Sequence, residues 1–280
     1  MAPPIDNPKD RIAHFFDDDS SDYLKHKYVG SRNSYMALRR FKASDILARY
    51  VVPSFNEHFR FLDCGCGPGI LLDVLARYPI GYWGLDISHE MLKLADARPE
   101  TGRSVLTEKH LVRGDVENLP FASGSFDAAA CLGVIEYLKD DAHLLSEMQR
   151  VVKPKGHLLI AVTNQRSYNL ALEGPLNWMR RHRVPARILN LAKVALGHGE
   201  FRQAEFEKRR HLPRAFDHTL AARGLKVVAS ASWGFNFLPH PLQHLCPHSW
   251  NDFANSAYER SINRMIKHFG EGYMVLCQRG

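Results

Sequence analysis

The stretch "FLDCGCGPGILLDVL", residues 61–75, decides the fold. Two apolar runs flank a turn, Cys64–Gly69, that holds two cysteines, three glycines and a proline. The first run reads as a buried strand, and the second as a helix closed by Pro79. Glycines in such a turn let the backbone approach a ligand with no Cβ in the way. A helix starting at about Gly69 aims its unpaired N–H groups into the same turn. A turn of this composition suits a thiol or metal pair, a phosphate cradle, or a cradle for another cofactor.

The thiol and metal readings find little support elsewhere in the chain. The five cysteines stand at 64, 66, 131, 246 and 277. Cys64 and Cys66 share one face of an extended backbone but stand too far apart for an easy disulfide. No second cysteine pair completes a zinc ligand set. His240, His244 and His248 recur every four residues, but Pro241 and Pro247 interrupt any regular helix that would align them. No metal site is expected.

Outward from the turn, strand and helix patterns alternate. "IGYWGLDIS" reads as a strand, "SHEMLKLADAR" as a helix with Ser88 as its N-cap, and "KHLVRGD" as a short strand. "FDAAACLGV" is a strand of small residues, and "KDDAHLLSEMQRVVKP" a helix stopped before Pro154. "GHLLIAVTN", "LKVVASASW" and "GYMVLCQR" read as strands, with the helix "LPRAFDHTLAARG" before the last two. Such alternation predicts an α/β fold with a mostly parallel sheet and helices on both faces. Upstream, residues 1–22 are polar and rich in Pro and Asp, which predicts a loosely ordered segment. Helical spacing follows from about Ser20 to Tyr50, with Tyr28, Tyr35, Leu38, Phe41, Ile46 and Leu47 as candidate buried positions.

In an open α/β sheet, ligands bind at the carboxyl ends of the strands. Three acids fall there: Asp63 before the glycine turn, Asp86 in "GLDIS", and Asp115 in "GDVENLPF". The spacing Gly65-x-Gly67-x-Gly69 departs from the G-x-G-x-x-G of dinucleotide sites, and Asp63 would repel a pyrophosphate. An acid in that place suits an ammonium group instead. Asp86 suits a pair of ribose hydroxyls, Ile87 the face of a purine, and Asp115 an adenine amino group.

These residues, in this order, resemble the class I S-adenosylmethionine-dependent methyltransferases. "FLDCGCGPG", "GLDIS", "GDVENLPF" and "FDAAACLGVIEYL" are similar to the family's successive motifs, as is the helix–turn–strand "EMQRVVKPKGHLLIAVTN". The resemblance covers about residues 58–164 and, more loosely, the two last strands. It implies a Rossmann-like seven-stranded sheet whose last strand inserts antiparallel beside the sixth. It implies S-adenosylmethionine as cofactor, with S-adenosylhomocysteine as product. Cofactor contacts then fall on Asp63, Gly65, Cys66, Gly67, Gly69, Asp86, Ile87, Asp115, Val116 and Leu132. The small-molecule branch related to ubiquinone biosynthesis often carries Glu-His where this chain has Glu136-Tyr137. Some members place another acid a few residues earlier to hold a divalent metal, and Leu132 and Gly133 supply none. The Asn/Asp-Pro-Pro-aromatic motif of enzymes that methylate nucleic-acid bases is absent, so nucleic acid is disfavoured as substrate.

Glu136, Tyr137 and Tyr28 are candidate acceptor contacts. His211, at the head of "HLPRAF", is the candidate general base, because an imidazole titrates near neutral pH. A structural role competes for any one of fifteen histidines. The N-terminal region, 1–57, is expected to be a helical cap or lid, with Tyr23 and Tyr28 over the cofactor. The methyltransferase domain is expected over 58–280, with inserts at about 165–212 and 234–270. The net charge of +7 is local: residues 164–214 carry eleven Lys/Arg against four Asp/Glu. Within 165–200, "LNWMRRHRVPARILNLAKVALG" mixes arginines with apolar residues, which suits peripheral contact with an anionic membrane or a cover over a greasy acceptor. A helical cap with a solvated charged face competes with that reading, and phosphate contact with RNA is a further one. The acceptor is thus expected to be a small or lipid-linked molecule, methylated on oxygen rather than nitrogen. With no signal segment and no spanning apolar run, a cytoplasmic location is expected, peripheral at most to a membrane's inner face.

Overall fold

The computed structural model describes residues 7–24, 35–98, 104–167, 208–235, 250, 253 and 268–280. The strands are β1 (Arg60–Cys64), β2 (Gly81–Asp86), β3 (Glu108–Arg113), β4 (Phe126–Leu132), β5 (Val152–Thr163), β6 (Leu225–Trp233) and β7 (Gly272–Arg279). They form one sheet in the order β3-β2-β1-β4-β5-β7-β6. β1 to β5 run parallel, and β7 lies antiparallel between β5 and β6. The expected topology is therefore observed, including the reversed last strand.

Side-chain parity sorts the strand residues into two cores. Leu62, Cys64, Leu158, Ile160, Val162, Tyr273 and Val275 face one side. There α5 (Ala142–Val151) brings Leu144, Leu145 and Met148, and α6 (Pro213–Ala222) brings Phe216 and Leu220. Phe61, Leu159, Ala161, Met274 and Leu276 face the other side, under α2 (Tyr35–Tyr50) and α3 (Ile70–Leu75). The near-continuous apolar runs of the parallel strands follow from burial on both faces. The same parity turns Asp63 to the side covered by α2, which brings a charge from that helix within reach of it.

Three features differ from the sequence reading. Of the Pro/Asp-rich segment, the described part is helical rather than loosely ordered: Pro8–Leu24 forms α1. Proline is well suited to the first helical position. Tertiary contacts supply what composition does not, since Ala13 is buried and Lys9 and Asp17 find partners across the chain. Phe41, assigned to the core, is 60% exposed, because the buried side of α2 runs through Arg39, Ala43, Ile46 and Leu47. The helix before Pro154 ends at Val151, and β5 begins at Val152, three positions before Lys155 adopts a φ of 63°. Tyr28, the segment 168–207 and the histidines 240, 244 and 248 lie outside the described residues.

The two long connections leave and return at one point. The Asn164 side chain is fully buried and donates to the carbonyls of His268 and Gly270, at 2.7 and 2.8 Å. The backbone N–H of Gln165 donates to His211 O, and that of His211 to Thr163 O. Residues 208–211, counted within the first insert by sequence, are thus stitched to the end of β5.

Gly272 pairs with Trp233 across β7 and β6, and the indole is buried at 1% exposure. A Cβ on Gly272 would lie 2.1 Å from the Trp233 ring, which has no room to move. Gly272→Ala is expected to lower stability by about 1–3 kcal/mol, as overpacking does. Urea denaturation read by tryptophan fluorescence checks this, and an unchanged midpoint would contradict the packing.

Candidate active site

A cleft opens at the carboxyl ends of β1, β2 and β4, the edge where the sequence places its acids. Its floor is the turn after β1. Gly65, Gly67 and Gly69 adopt φ of 72°, 51° and 75°, a left-handed conformation that costs L side chains about 1–2 kcal/mol each. The turn is tied to β2: the N–H groups of Gly65 and Cys66 donate to Leu85 O at 2.7 and 3.0 Å. From behind, Arg98 donates to Pro68 O and pairs with Asp73. A Cβ on Gly67 would meet nothing within 4 Å, so the turn is open to the cleft there. At Gly65 a Cβ would lie 2.1 Å from the Val134 side chain. Gly69 caps α3, with Ala95 of α4 (His89–Asp96) closing against it, and does not line the cleft.

The three acids occupy different environments. Asp63 is 3% exposed and accepts from the Tyr82 hydroxyl at 2.9 Å. Burial pushes its carboxyl up to about 7; the Tyr82 hydrogen bond opposes this, Asp86 adds to it, and Arg39 opposes it. The Asp86 oxygens accept from Gly67 N at 2.8 Å and Ser88 N at 2.9 Å, and each keeps a lone pair for another donor. Burial raises the Asp86 carboxyl, against the N–H groups of Ser88, Gly67 and Ile87. Asp115 pairs with Lys9 Nζ at 2.5 Å while its other oxygen accepts from Glu117 N. Apolar walls come from Ile87, Met91, Val116 and Leu132.

Several lining residues escape the sequence reading. Lys9, Ile12 and Phe16 reach the cleft from α1, and Met36, Arg39 and Arg40 from α2. Arg39 is 8% exposed, and its guanidinium lies so close to Gly133 that a Cβ there would collide with it. One signal in the sequence points to it: Tyr35, Arg39 and Ala43 recur every four residues, so a cation interrupts the apolar stripe of α2. Buried cations are found where a partner or ligand requires them.

Of the predicted positions, Asp63, Gly65, Cys66, Gly67, Asp86, Ile87, Asp115, Val116, Leu132 and Tyr137 line this one cleft. Glu136 does not. It is buried behind the rim, where it accepts from the Thr163 hydroxyl at 2.6 Å. His211, the candidate general base, is also outside the lining. Its Nε2 lies 3.0 and 3.1 Å from the Asp141 oxygens, and Arg209 holds the same carboxylate at 2.6 Å. These contacts fasten residues 208–211 to the rim. Cys64 and Cys66 are buried free thiols, and burial first of all pushes both well above the ordinary range. Thiolates are therefore disfavoured at the glycine turn, against the thiol reading.

The raised Asp63 carboxyl has a sign that can be tested. Between the ordinary carboxylate value and about 7, the folded chain keeps a proton that the unfolded chain has released. Stability therefore falls as pH rises through that window. Asp63→Asn is expected to remove this component, flattening the decline by on the order of 4 kcal/mol. Urea midpoints measured across the window check it, and identical pH profiles for the two proteins would contradict the assignment.

Residues 62–160 match a family described as a methyltransferase domain. Among curated proteins, the chain is 33% identical over 118 residues to the ubiquinone biosynthesis O-methyltransferase of Ralstonia nicotianae, covering 41% of this chain and 48% of that protein. It is 32% identical over 130 residues to the protein of the same name from Vibrio cholerae, covering 45% and 52%. The chain thus spans about half the length of the curated relatives it matches. A solved magnesium protoporphyrin IX methyltransferase from Synechocystis PCC 6803, with bound SAM, superposes with a TM-score of 0.60 at 13% identity, over 100% of both chains. A SAM-dependent methyltransferase from Archaeoglobus fulgidus gives 0.52 at 19% identity, over 93% of this chain and 100% of that one. At these identities the structural likeness speaks for the fold. Residues 62–160 thus carry a methyltransferase domain, and with the sheet that completes it and the ordered motifs around the cleft the chain is similar to the class I S-adenosylmethionine-dependent methyltransferases.

Proposed function

We propose that the chain transfers the methyl group of S-adenosylmethionine to a hydroxyl of a small, hydrophobic or lipid-linked acceptor. The observation that carries this reading is the convergence of Asp63, Arg39, the bare Gly67 and Asp86 on one cleft. An amino-acid moiety presents an ammonium and a carboxylate, and the cleft offers a buried anion and a buried cation. Asp86 and Asp115 offer carboxylate acceptors at the next two strand ends, for ribose hydroxyls and an adenine amine. Ile87, Met91 and Leu132 suit the apolar faces of the base and the thioether chain.

When bound, S-adenosylmethionine supplies a sulfonium methyl carbon for in-line displacement and leaves as S-adenosylhomocysteine. The chain's own part is to bind, align and exclude water, and alignment is the large contribution. Val134, Tyr137 and Leu138 form the rim after β4, where an acceptor meets the methyl carbon. Phe16 packs edge-on against Tyr137, with ring centroids 5.4 Å apart, and narrows that rim. Among the described residues, those lining this rim carry no carboxylate or imidazole. Oxygen as the methylated atom is favoured by the O-methyltransferase names of the matched relatives.

The lipid-linked acceptor and a peripheral membrane contact draw support from residues 208–214. Lys208, Arg210, Leu212 and Arg214 are exposed in alternation, and Lys208 Nζ lies 5.2 Å from the Tyr137 ring centroid. Three outward cations and a leucine beside the rim suit an amphiphilic acceptor held at an anionic surface. No helix among the described residues is long and apolar enough to cross a membrane.

The test incubates the chain and a cell extract with methyl-labelled S-adenosylmethionine, then separates organic-soluble, aqueous, RNA and protein fractions. Label is expected in the organic fraction. Label in RNA would replace the acceptor assignment, and binding without any transfer would favour a non-catalytic binder. Gly67→Arg serves as control: its side chain projects into open cleft, so folding is expected to survive while S-adenosylhomocysteine binding is lost. Binding retained in that variant would contradict the site.

A further inference from the structure

Helix α1 crosses the mouth of the cleft on one face. Lys9, Ile12 and Phe16, at i, i+3 and i+7, all line it. The helix is fastened at two points, near its start and at its middle. Near its start, Lys9 Nζ bridges Asp115 and Glu117, at 2.5 and 2.6 Å. One helix face further on, the Asp17 carboxylate accepts from the Ser88 hydroxyl at 2.5 Å and from Glu90 N at 3.2 Å. Ser88 is itself the N-cap of α4, accepting from Met91 N, and its own N–H donates to Asp86. The second fastening therefore runs through hydrogen bonds from α1 to Asp86, and from Asp86 to Gly67 in the cofactor turn.

We propose that α1 is a latch over the cofactor cleft and that Lys9 and Asp17 are the positioning residues that hold it shut. This inference rests on the reading of the cleft as an S-adenosylmethionine site. A molecule on the glycine turn lies beneath Ile12 and Phe16, so it cannot leave until α1 lifts. Lifting breaks the Lys9 ion pairs and the Asp17 hydrogen bonds together. A ligand that contacts α1 in the closed state favours that state by its differential affinity, and the latch in turn slows its release. The Lys9 and Asp115 side chains are 39% and 31% exposed, so salt screens this fastening. The Asp17 fastening, hydrogen-bonded to a helix N-terminus, is less sensitive to salt.

The test follows release of S-adenosylhomocysteine from the intact chain by stopped-flow displacement. Lys9→Met and Asp17→Ala are each expected to speed release about tenfold, with a smaller change in association, since affinity differences within one site reside mostly in the off-rate. Lys9→Arg is expected to keep release slow. High salt is expected to speed release from the parent and from Asp17→Ala, and to leave Lys9→Met unchanged. Hydrogen exchange of the α1 amides is expected to slow on adding S-adenosylhomocysteine to the parent. A parent that binds the product while both variants release it at the parental rate overturns the latch alone. A parent that binds no product overturns the cofactor reading, and the latch with it.

Discussion

The carboxylate of Asp86 holds the cleft together. Its two oxygens accept from Gly67 in the turn after β1 and from Ser88 at the head of α4. Two loops from neighbouring strands are thereby fixed against each other, at the edge where a parallel sheet gathers its ligand-binding residues. Without that carboxylate, the buried N–H of Ser88 and the half-buried N–H of Gly67 lose their acceptor, at about 1–3 kcal/mol for a buried donor left unsatisfied. The group is retained in a buried place that raises its carboxyl, because the backbone donors around it favour the charged form.

The charges of the cleft follow from layering. Parity along β1 sends Phe61 and Asp63 to the α2 side and Leu62 to the α5 side. A helix whose buried stripe contains Arg39 lies over that same side. The sheet thus brings a carboxylate and a guanidinium into one low-dielectric space although they are far apart in sequence. Asp63 accepts from the Tyr82 hydroxyl, yet burial holds its carboxyl up at about 7. A site poised in this way responds to a ligand that supplies the missing ammonium.

The sheet and the cofactor edge were legible in the sequence because both depend on local signals. Alternating apolar periods fix strands and helices, glycines mark the turn, and an acid at each strand end marks the edge. Residues 1–57 read as a helical cap or lid, but the contacts that α1 makes were not legible. Its composition is that of a solvated segment, and its order comes from partners such as Asp115 and Ser88, which lie some seventy to a hundred residues away. Arg39 was missed because a charge on an apolar stripe reads as surface until the sheet beneath it is known. For His211 the sequence offers an imidazole at the head of a helix, while its partner Asp141, which Arg209 also holds, is identified only by the fold.

On the proposed reading the acceptor side is the rim after β4, while the cofactor side is set by hydrogen bonds among strand ends. The two sides meet at Tyr137, which touches Phe16 from α1 and lies beneath Lys208. The most direct test of the central claim is a calorimetric titration of S-adenosylhomocysteine into the purified chain and into Asp86→Ala. The account predicts one saturable site per chain in the parent, and binding weakened at least tenfold in the variant, which loses both a ribose acceptor and the brace of the glycine turn. No saturable binding in the parent, or equal affinity in the folded variant, would contradict it.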